Sequence, residues 1–202
     1  MFCLSIAGGT ASGKTTFVGL LKKATSSKNI AIISIDDYYK PLIHLNYSEK
    51  EQYNFDHPTA IDFDLLEKHL LLLKSNKPIQ KPKYCFKTHN RLKETTTILP
   101  SPVIIIEGIL SSSITAIRNL CDYKIFIDVP ENIRLERRIK RDVTKRKRTK
   151  ESVIQQFKMN ISAMHSEFVE PYKKYADLII DGTQKFDNSV NAICALINQQ
   201  LS

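Results

Sequence analysis

No run of apolar residues in this 202-residue chain reaches the roughly 20 needed to cross a bilayer as a helix. The apolar start, Phe2 to Ala7, is short and leads straight into a glycine loop; it reads as a strand and not as a signal peptide. Cysteine is sparse. Cys3, Cys85, Cys121 and Cys194 form no C-x-x-C pair and show no zinc-ligand spacing. That argues against a zinc finger or a disulfide scaffold and for reduced, mostly buried thiols in a cytoplasmic protein. Internal repeats and low-complexity linkers are missing too. The chain therefore reads as one domain, residues 1–202, long enough for a sizeable core. Acidic residues are in deficit, 21 against 30 Lys and Arg, for a formal net charge of +9. Such an excess first suggests nucleic acid. Much of it, however, sits between Arg134 and Lys150, and a local basic cluster also suits a site for a polyphosphate.

What the chain does contain begins with FCLSIAGGTASGKTT. Gly8, Gly13, Lys14 and Thr15 satisfy G-x-x-x-x-G-K-[ST], the phosphate-binding loop. Glycine permits the tight turn, and the N–H groups along Gly8, Gly9, Thr10, Ala11, Ser12 and Gly13 can point at an anion. Lys14 supplies positive charge to the β- and γ-phosphates, and the Thr15 hydroxyl is a hard oxygen ligand for Mg²⁺. A helix from Lys14 through Thr16 to Ala24 adds the positive end of its dipole. Strand, loop and helix stand in the required order, so the chain is expected to bind a nucleoside triphosphate.

Strands and helices then alternate. Ile30 to Ile35 is an apolar strand that runs into Asp36 and Asp37. In open parallel sheets, ligands bind beyond the carboxyl ends of the strands. A carboxylate there can take the proton of an attacking hydroxyl or help hold Mg²⁺; it can equally cap a turn. Alternation along a strand lets only one of the pair face the site. NFDHP is turn-like, and Asp56 and His57 within it are ligand-contact candidates. Asp62 can cap a helix from Phe63 to Lys74, with Leu65, Leu66, Leu70 and Leu73 on its apolar face. Residues 79–99 alternate as a hairpin around a turn near Thr88 to Arg91. Tyr84 and Phe86 share one face of it, and the pattern by itself favours gluing the hairpin to the body over stacking a planar ligand.

Pro102 to Glu107 is the strongest buried strand, and Glu107 stands at its end, where an acidic partner of Mg²⁺ belongs. Ile109 to Leu120 reads as a helix and Tyr123 to Val129 as a strand. From Glu131 onward, Arg134, Arg137, Arg138 and Arg141 share one helix face, with Leu135, Ile139 and Val143 on another; Arg146 and Arg148 continue the cluster into a loop. Beside a phosphate loop, a basic lid over residues 131–150 is favoured over a solvated face, because guanidinium forks match phosphate oxygens. A long helix from Lys150 to Lys174 is expected to bury Val153, Phe157, Ile161, Met164 and Phe168, with Gln156 off that stripe. Asp177 to Asp181 is a last strand, and a helix with Val190, Ile193, Ile197 and Leu201 inward closes the chain. The sum is a P-loop NTPase-type, doubly wound α/β fold. It has a mainly parallel sheet of about five strands, a β-hairpin insert and an Arg-rich helical lid.

GGTASGKTT, SIDDYYK, YNFDHPTAID, PKYCFKTHNRLKET, VIIIEGIL, RLERRIKRD and KKYADLII, in that order, resemble the motifs of one family, the uridine (uridine–cytidine) kinases. The resemblance covers nearly the whole chain; NFDHP, the Y-x-F-x-x-H hairpin and EGIL are its specific parts. It implies transfer of the γ-phosphoryl group of ATP or GTP to the 5′-hydroxyl of uridine or cytidine. By this resemblance Asp36 is the base, also near Mg²⁺, and Thr15 and Glu107 complete the metal site. Asp56 and Arg138 hold the ribose hydroxyls; Tyr84 and His89 read the pyrimidine edge; Tyr39, Phe55 and Phe86 wall the base. Arg141, Arg146 and Arg148 form the lid, with Gln156 near the substrate, and the hairpin aromatics become pocket residues after all. It further implies a cytoplasmic homo-oligomer, commonly a tetramer in that family, with small-molecule partners and no nucleic acid or membrane partner. Three departures stand out: Cys85 replaces the acid of Y-D-F, Lys147 replaces the glycine of R-G-R, and a short insertion surrounds Thr183 to Phe186. Two other readings compete. One is a different small-molecule P-loop kinase, of phosphoribulokinase or pantothenate kinase type. The other is a nucleotide-gated nucleic-acid-binding protein, motivated by the charge of +9.

Overall fold

The computed structural model describes residues 1–25 and 30–201. Its main sheet comprises β1 (Phe2–Ala7), β2 (Ile30–Ser34), β5 (Val103–Glu107), β6 (Tyr123–Asp128) and β7 (Leu178–Asp181), all parallel, in the order β2-β5-β1-β6-β7. The remaining strands, β3 (Ile79–Cys85) and β4 (Asn90–Ile98), form a separate antiparallel hairpin. Every residue of β1 and β5 is buried, as continuous apolar runs in a central parallel sheet require. Side chains alternate along β1 and so serve two cores. Cys3 and Ala7 face Leu66 and Leu70 of helix α3 (Phe63–Lys74). Leu4 and Ile6 face Phe17 and Leu21 of α1 (Lys14–Ala24) and Ile193 of α8 (Asp187–Leu201). Each such aliphatic contributes on the order of 1.5–3 kcal/mol. The order of the strands puts β1 and its loop at the centre of the sheet, where ligands bind.

Four local expectations need correction. Ile109–Leu120 is not one helix: only Thr115–Asn119 (α4) is helical. The Ser111 and Ser113 hydroxyls bond the carbonyls of Gly108 and Leu110, which gives the backbone turns in place of a helix. Lys150–Lys174 is not one α-helix either. It runs as α6 (Lys150–Gln156), a π-helical turn (Phe157–Ile161) and α7 (Ser162–Phe168), followed by a 3₁₀ segment (Glu170–Tyr175). Val153, Phe157 and Ile161 recur every four residues, ahead of the 3.6-residue period, and the widened turn keeps them inward; Met164 and Phe168 are only half-buried. On α3, Leu65 is half-buried, and His69 takes a place on the buried face, its Nδ1 2.9 Å from the Tyr38 hydroxyl. Leu201 is exposed at the end of α8. Asp62 caps α3 as expected, accepting from the Leu65 N–H at 3.2 Å.

Candidate active site

The phosphate loop joins β1 to α1. Gly8 sits at φ +138°, and a Cβ there would lie 2.4 Å from the Ile127 carbonyl oxygen, so no other residue fits. Lys14 is buried and folds back, its Nζ donating to the carbonyls of Gly8 and Gly9 at 2.9 Å each. Burial pushes its pKa down to about 8, against the opposing pull of Glu107 and Asp36. Phe186 packs edge-to-face on Phe17, 5.3 Å between ring centroids, and closes on Gly13.

β2 ends one residue early, and Ile35–Tyr38 forms a 3₁₀ turn. Its geometry, rather than strand alternation, separates the two aspartates. Asp37 turns to an ion pair with Lys81 of the hairpin. Asp36 faces the loop, under the charges of Lys14, Arg146 and Arg141, yet burial holds its pKa above the usual carboxylate range. Glu107, next door on β5 in register with Ser34, accepts from the Ser34 hydroxyl at 2.9 Å and is also raised by burial.

In front of Asp36 opens a cavity of about 840 Å³. One wall is aromatic. Tyr39 lies 5.1 Å from Phe55 and 4.9 Å from Tyr84, Phe86 meets Tyr84 at 5.3 Å, and His89 stacks on Phe55 at 5.2 Å with 19° between planes. The lining also holds polar groups: Thr10, Asp56, Arg138, Arg141, Arg146, Arg148 and Gln156. Asp56 has its pKa raised by burial against the pull of Arg138. The Tyr84 hydroxyl is buried without a hydrogen-bond partner among the described residues, as a group reserved for a ligand would be. Cys85 is absent from the lining, as alternation along β3 dictates.

Helix α5 (Glu131–Arg146) inverts the usual amphipathic arrangement. Its arginine face is the inward one: Arg134 and Arg138 are 2% and 7% exposed, whereas Val143 is 41% exposed. Arg134 donates to the Val129 carbonyl at 3.1 Å and Arg137 to that of Gly182 at 2.9 Å. Arg138 donates to the Thr10 hydroxyl at 2.8 Å and to Gln156 Oε1 at 3.2 Å, and Arg148 reaches that same oxygen at 2.6 Å. Arg146 is the last residue of the helix rather than part of the loop, and its guanidinium lies 5.0 Å over the Phe86 ring. Lys147 follows at φ 55°, the left-handed conformation for which glycine is the default. Glycine would meet this backbone demand without cost, and Lys147 carries local strain in its place.

Two residues that brace the site from behind its lining were not evident from the sequence. Asp142 is fully buried at the hub of the arginines, 2.8 Å from Arg141 Nε, 3.4 Å from Arg138 Nε and 3.6 Å from Arg146 Nε. Its signal was there: it stands four residues from both Arg138 and Arg146, a spacing that puts all of them on one helix face. Arg91 is the other. It anchors the hairpin by donating to the Tyr38 and Tyr39 carbonyls, at 3.0 and 2.9 Å, and to Asp62 at 3.0 Å. No local pattern announces that role.

A phosphate loop that opens into an aromatic and carboxylate-bearing pocket defines a P-loop kinase for a small acceptor molecule. The comparisons agree. The model of the "Phosphoribulokinase / Uridine kinase family" matches residues 3–189, and the chain belongs to that family. It is 45% identical over 177 residues to a uridine kinase of Alkaliphilus metalliredigens, covering 88% of this chain and 85% of that one. With a uridine kinase of Clostridium novyi the identity is 40% over 199 residues, 98% and 96% of the two chains. Among solved structures, a phosphoribulokinase from Rhodobacter spheroides superposes with a TM-score of 0.67 at 15% identity, covering 92% of this chain and 74% of that one. At that identity the likeness speaks to the fold.

Proposed function

We propose that this protein is a uridine/cytidine kinase, transferring the γ-phosphoryl group of ATP or GTP to the nucleoside 5′-hydroxyl. The observation that carries the reading is the cavity: Asp36, Asp56 beside Arg138, and the aromatic wall open into one space that reaches Thr10 of the phosphate loop. The relatives above that bear the name uridine kinase support the choice of acceptor.

Phosphoryl transfer depends on positioning and charge neutralisation more than on covalent chemistry. The loop N–H groups and the α1 terminus hold the phosphates, with Lys14 waiting on the Gly8 and Gly9 carbonyls. Arg141 and Arg146, which line the same cavity and bear on Asp36, add positive charge to the phosphates. Arg148 and Gln156, through their shared hydrogen bond, steady Arg138. Asp36 takes the proton of the 5′-hydroxyl; a carboxyl whose affinity for protons is raised by burial is a better base. Asp56 and Arg138 hold the 2′- and 3′-hydroxyls, and the base lies between Tyr39, Phe55 and Phe86 with its edge toward Tyr84 and His89. Thr15, Asp36 and Glu107 present hard oxygens, and burial raises both carboxylates despite the pull of Lys14, so a divalent cation would relieve them and this set fits Mg²⁺. Bound with the nucleotide, Mg²⁺ would neutralise phosphate charge there. A single domain, a cytoplasmic location and a homotetramer belong to the same reading.

A coupled assay of ADP release tests it. Turnover is expected with uridine or cytidine and not with adenosine, ribulose 5-phosphate or pantothenate. Turnover confined to ribulose 5-phosphate or pantothenate would move the protein to another branch of the family. Tight, steeply salt-dependent binding to nucleic acid without turnover of any acceptor would overturn the kinase reading altogether.

A further inference from the structure

The hairpin does more than line the pocket. Arg91 places its planar fork on three acceptors at once: the carbonyls of Tyr38 and Tyr39 and the carboxylate of Asp62. Tyr38 and Tyr39 directly follow Asp36 and Asp37 in the short turn that ends β2. The hairpin holds this turn a second time through the ion pair of Lys81 with Asp37. Among the described residues the Asp36 carboxylate has one hydrogen bond, a long one from the Tyr39 hydroxyl to its Oδ1 at 3.5 Å, besides the charges of Lys14, Arg146 and Arg141. The turn that carries Asp36 is thus gripped from outside the main sheet, by an element that shares no strand pairing with it.

We infer that Arg91 is a positioning residue for phosphoryl transfer: it fixes the Asp36 turn against the hairpin so that the carboxylate meets the acceptor hydroxyl. The inference rests on the reading of Asp36 as the base. It has a consequence for specificity. Arg91 lies two residues beyond His89, so the strand that meets the acceptor at its tip also sets the base. Contacts at the hairpin then register in kcat as well as in KM.

The test is steady-state kinetics with uridine, together with direct titration of nucleotide binding, on Arg91→Gln, Arg91→Lys and Asp62→Asn. A displacement of about 1 Å at a reacting group costs about 10²-fold in rate. Arg91→Gln is therefore expected to lower kcat by about 30- to 100-fold, while KM for uridine changes less than fivefold and nucleotide affinity less than twofold. Arg91→Lys keeps the charge but not the fork, and is expected to recover less than fivefold of that loss. Asp62→Asn leaves both carbonyl bonds and is expected to lose less than fivefold in kcat. The inference is overturned if Arg91→Gln keeps kcat within threefold and raises only KM. It is also overturned if Arg91→Lys restores full kcat, or if the soluble Arg91→Lys protein loses nucleotide binding in parallel with turnover. Should Arg91→Gln fail to fold, Arg91→Lys and Asp62→Asn decide: equal losses in the two would contradict a role for the carbonyl bonds. The underlying reading fails separately, if Asp36→Asn keeps its turnover.

Discussion

Replacing Asp36 by asparagine is expected to lower kcat for uridine by about 10³-fold, a loss of about 4 kcal/mol of transition-state stabilisation. Asparagine keeps the shape of the side chain but cannot accept the hydroxyl proton. Nucleotide binding should survive within a few-fold, because the parts proposed to hold phosphate lie elsewhere: the loop backbone, Lys14 and the arginines of α5. That contrast matters more than the loss alone. A general collapse of the site would take both. Single-turnover rates and a fluorescent-nucleotide titration on one preparation check it, and a kcat within tenfold of the parent would remove Asp36 from the role of base.

The second large effect is structural. Asp142→Asn is expected to destabilise the protein by about 3 kcal/mol, the low end of what a broken buried ion pair costs. The low end applies because Arg141 and Arg146 are about a third exposed and partly screened, at 32% and 37%, whereas Arg138 is 8% exposed. Burial alone would raise the pKa of Asp142, but the hydrogen bond from Arg141 and the charges of Arg141, Arg138 and Arg146 outweigh it, and the net shift is downward. The sign follows from linkage. A carboxyl bound more weakly to its proton in the folded state stabilises the fold above its unfolded pKa of about 3.9, and that contribution is lost as pH falls through the lower folded value. Urea midpoints of the parent and the variant should therefore differ most at neutral pH and draw together only as acid protonates Asp142 in the folded protein, below the ordinary carboxylate range. A constant gap across that range would mean that charge on Asp142 does not hold the helix.

These two residues mark what a sequence does and does not disclose. The phosphate loop was legible to the residue, since its glycines answer backbone demands such as the φ of +138° at Gly8. α3 and its Asp62 cap were legible for the same reason: capping and periodicity are local. The pocket residues Tyr39, Phe55, Asp56, Tyr84, Phe86 and His89 come from three separated segments, and only the resemblance to a family named them together. Asp142 and Arg91 escaped because their partners are set by tertiary approach: a helix that turns its charges inward, and a hairpin that reaches back to the end of β2. The serine turns after Gly108 and the π turn at Phe157 escaped for another reason. In both, a side-chain demand overrides the helical period that the sequence otherwise suggests.

The central claim is that the cavity beside the phosphate loop seats a ribose, with Asp56 and Arg138 on its 2′- and 3′-hydroxyls. Comparing kcat/KM for uridine and 2′-deoxyuridine tests it most directly. The missing hydroxyl leaves a buried carboxylate oxygen unpaired, so discrimination of about 10²-fold or more in favour of uridine is expected. Equal turnover of the two nucleosides, within about threefold, would contradict the placement of the ribose and with it the reading of the site.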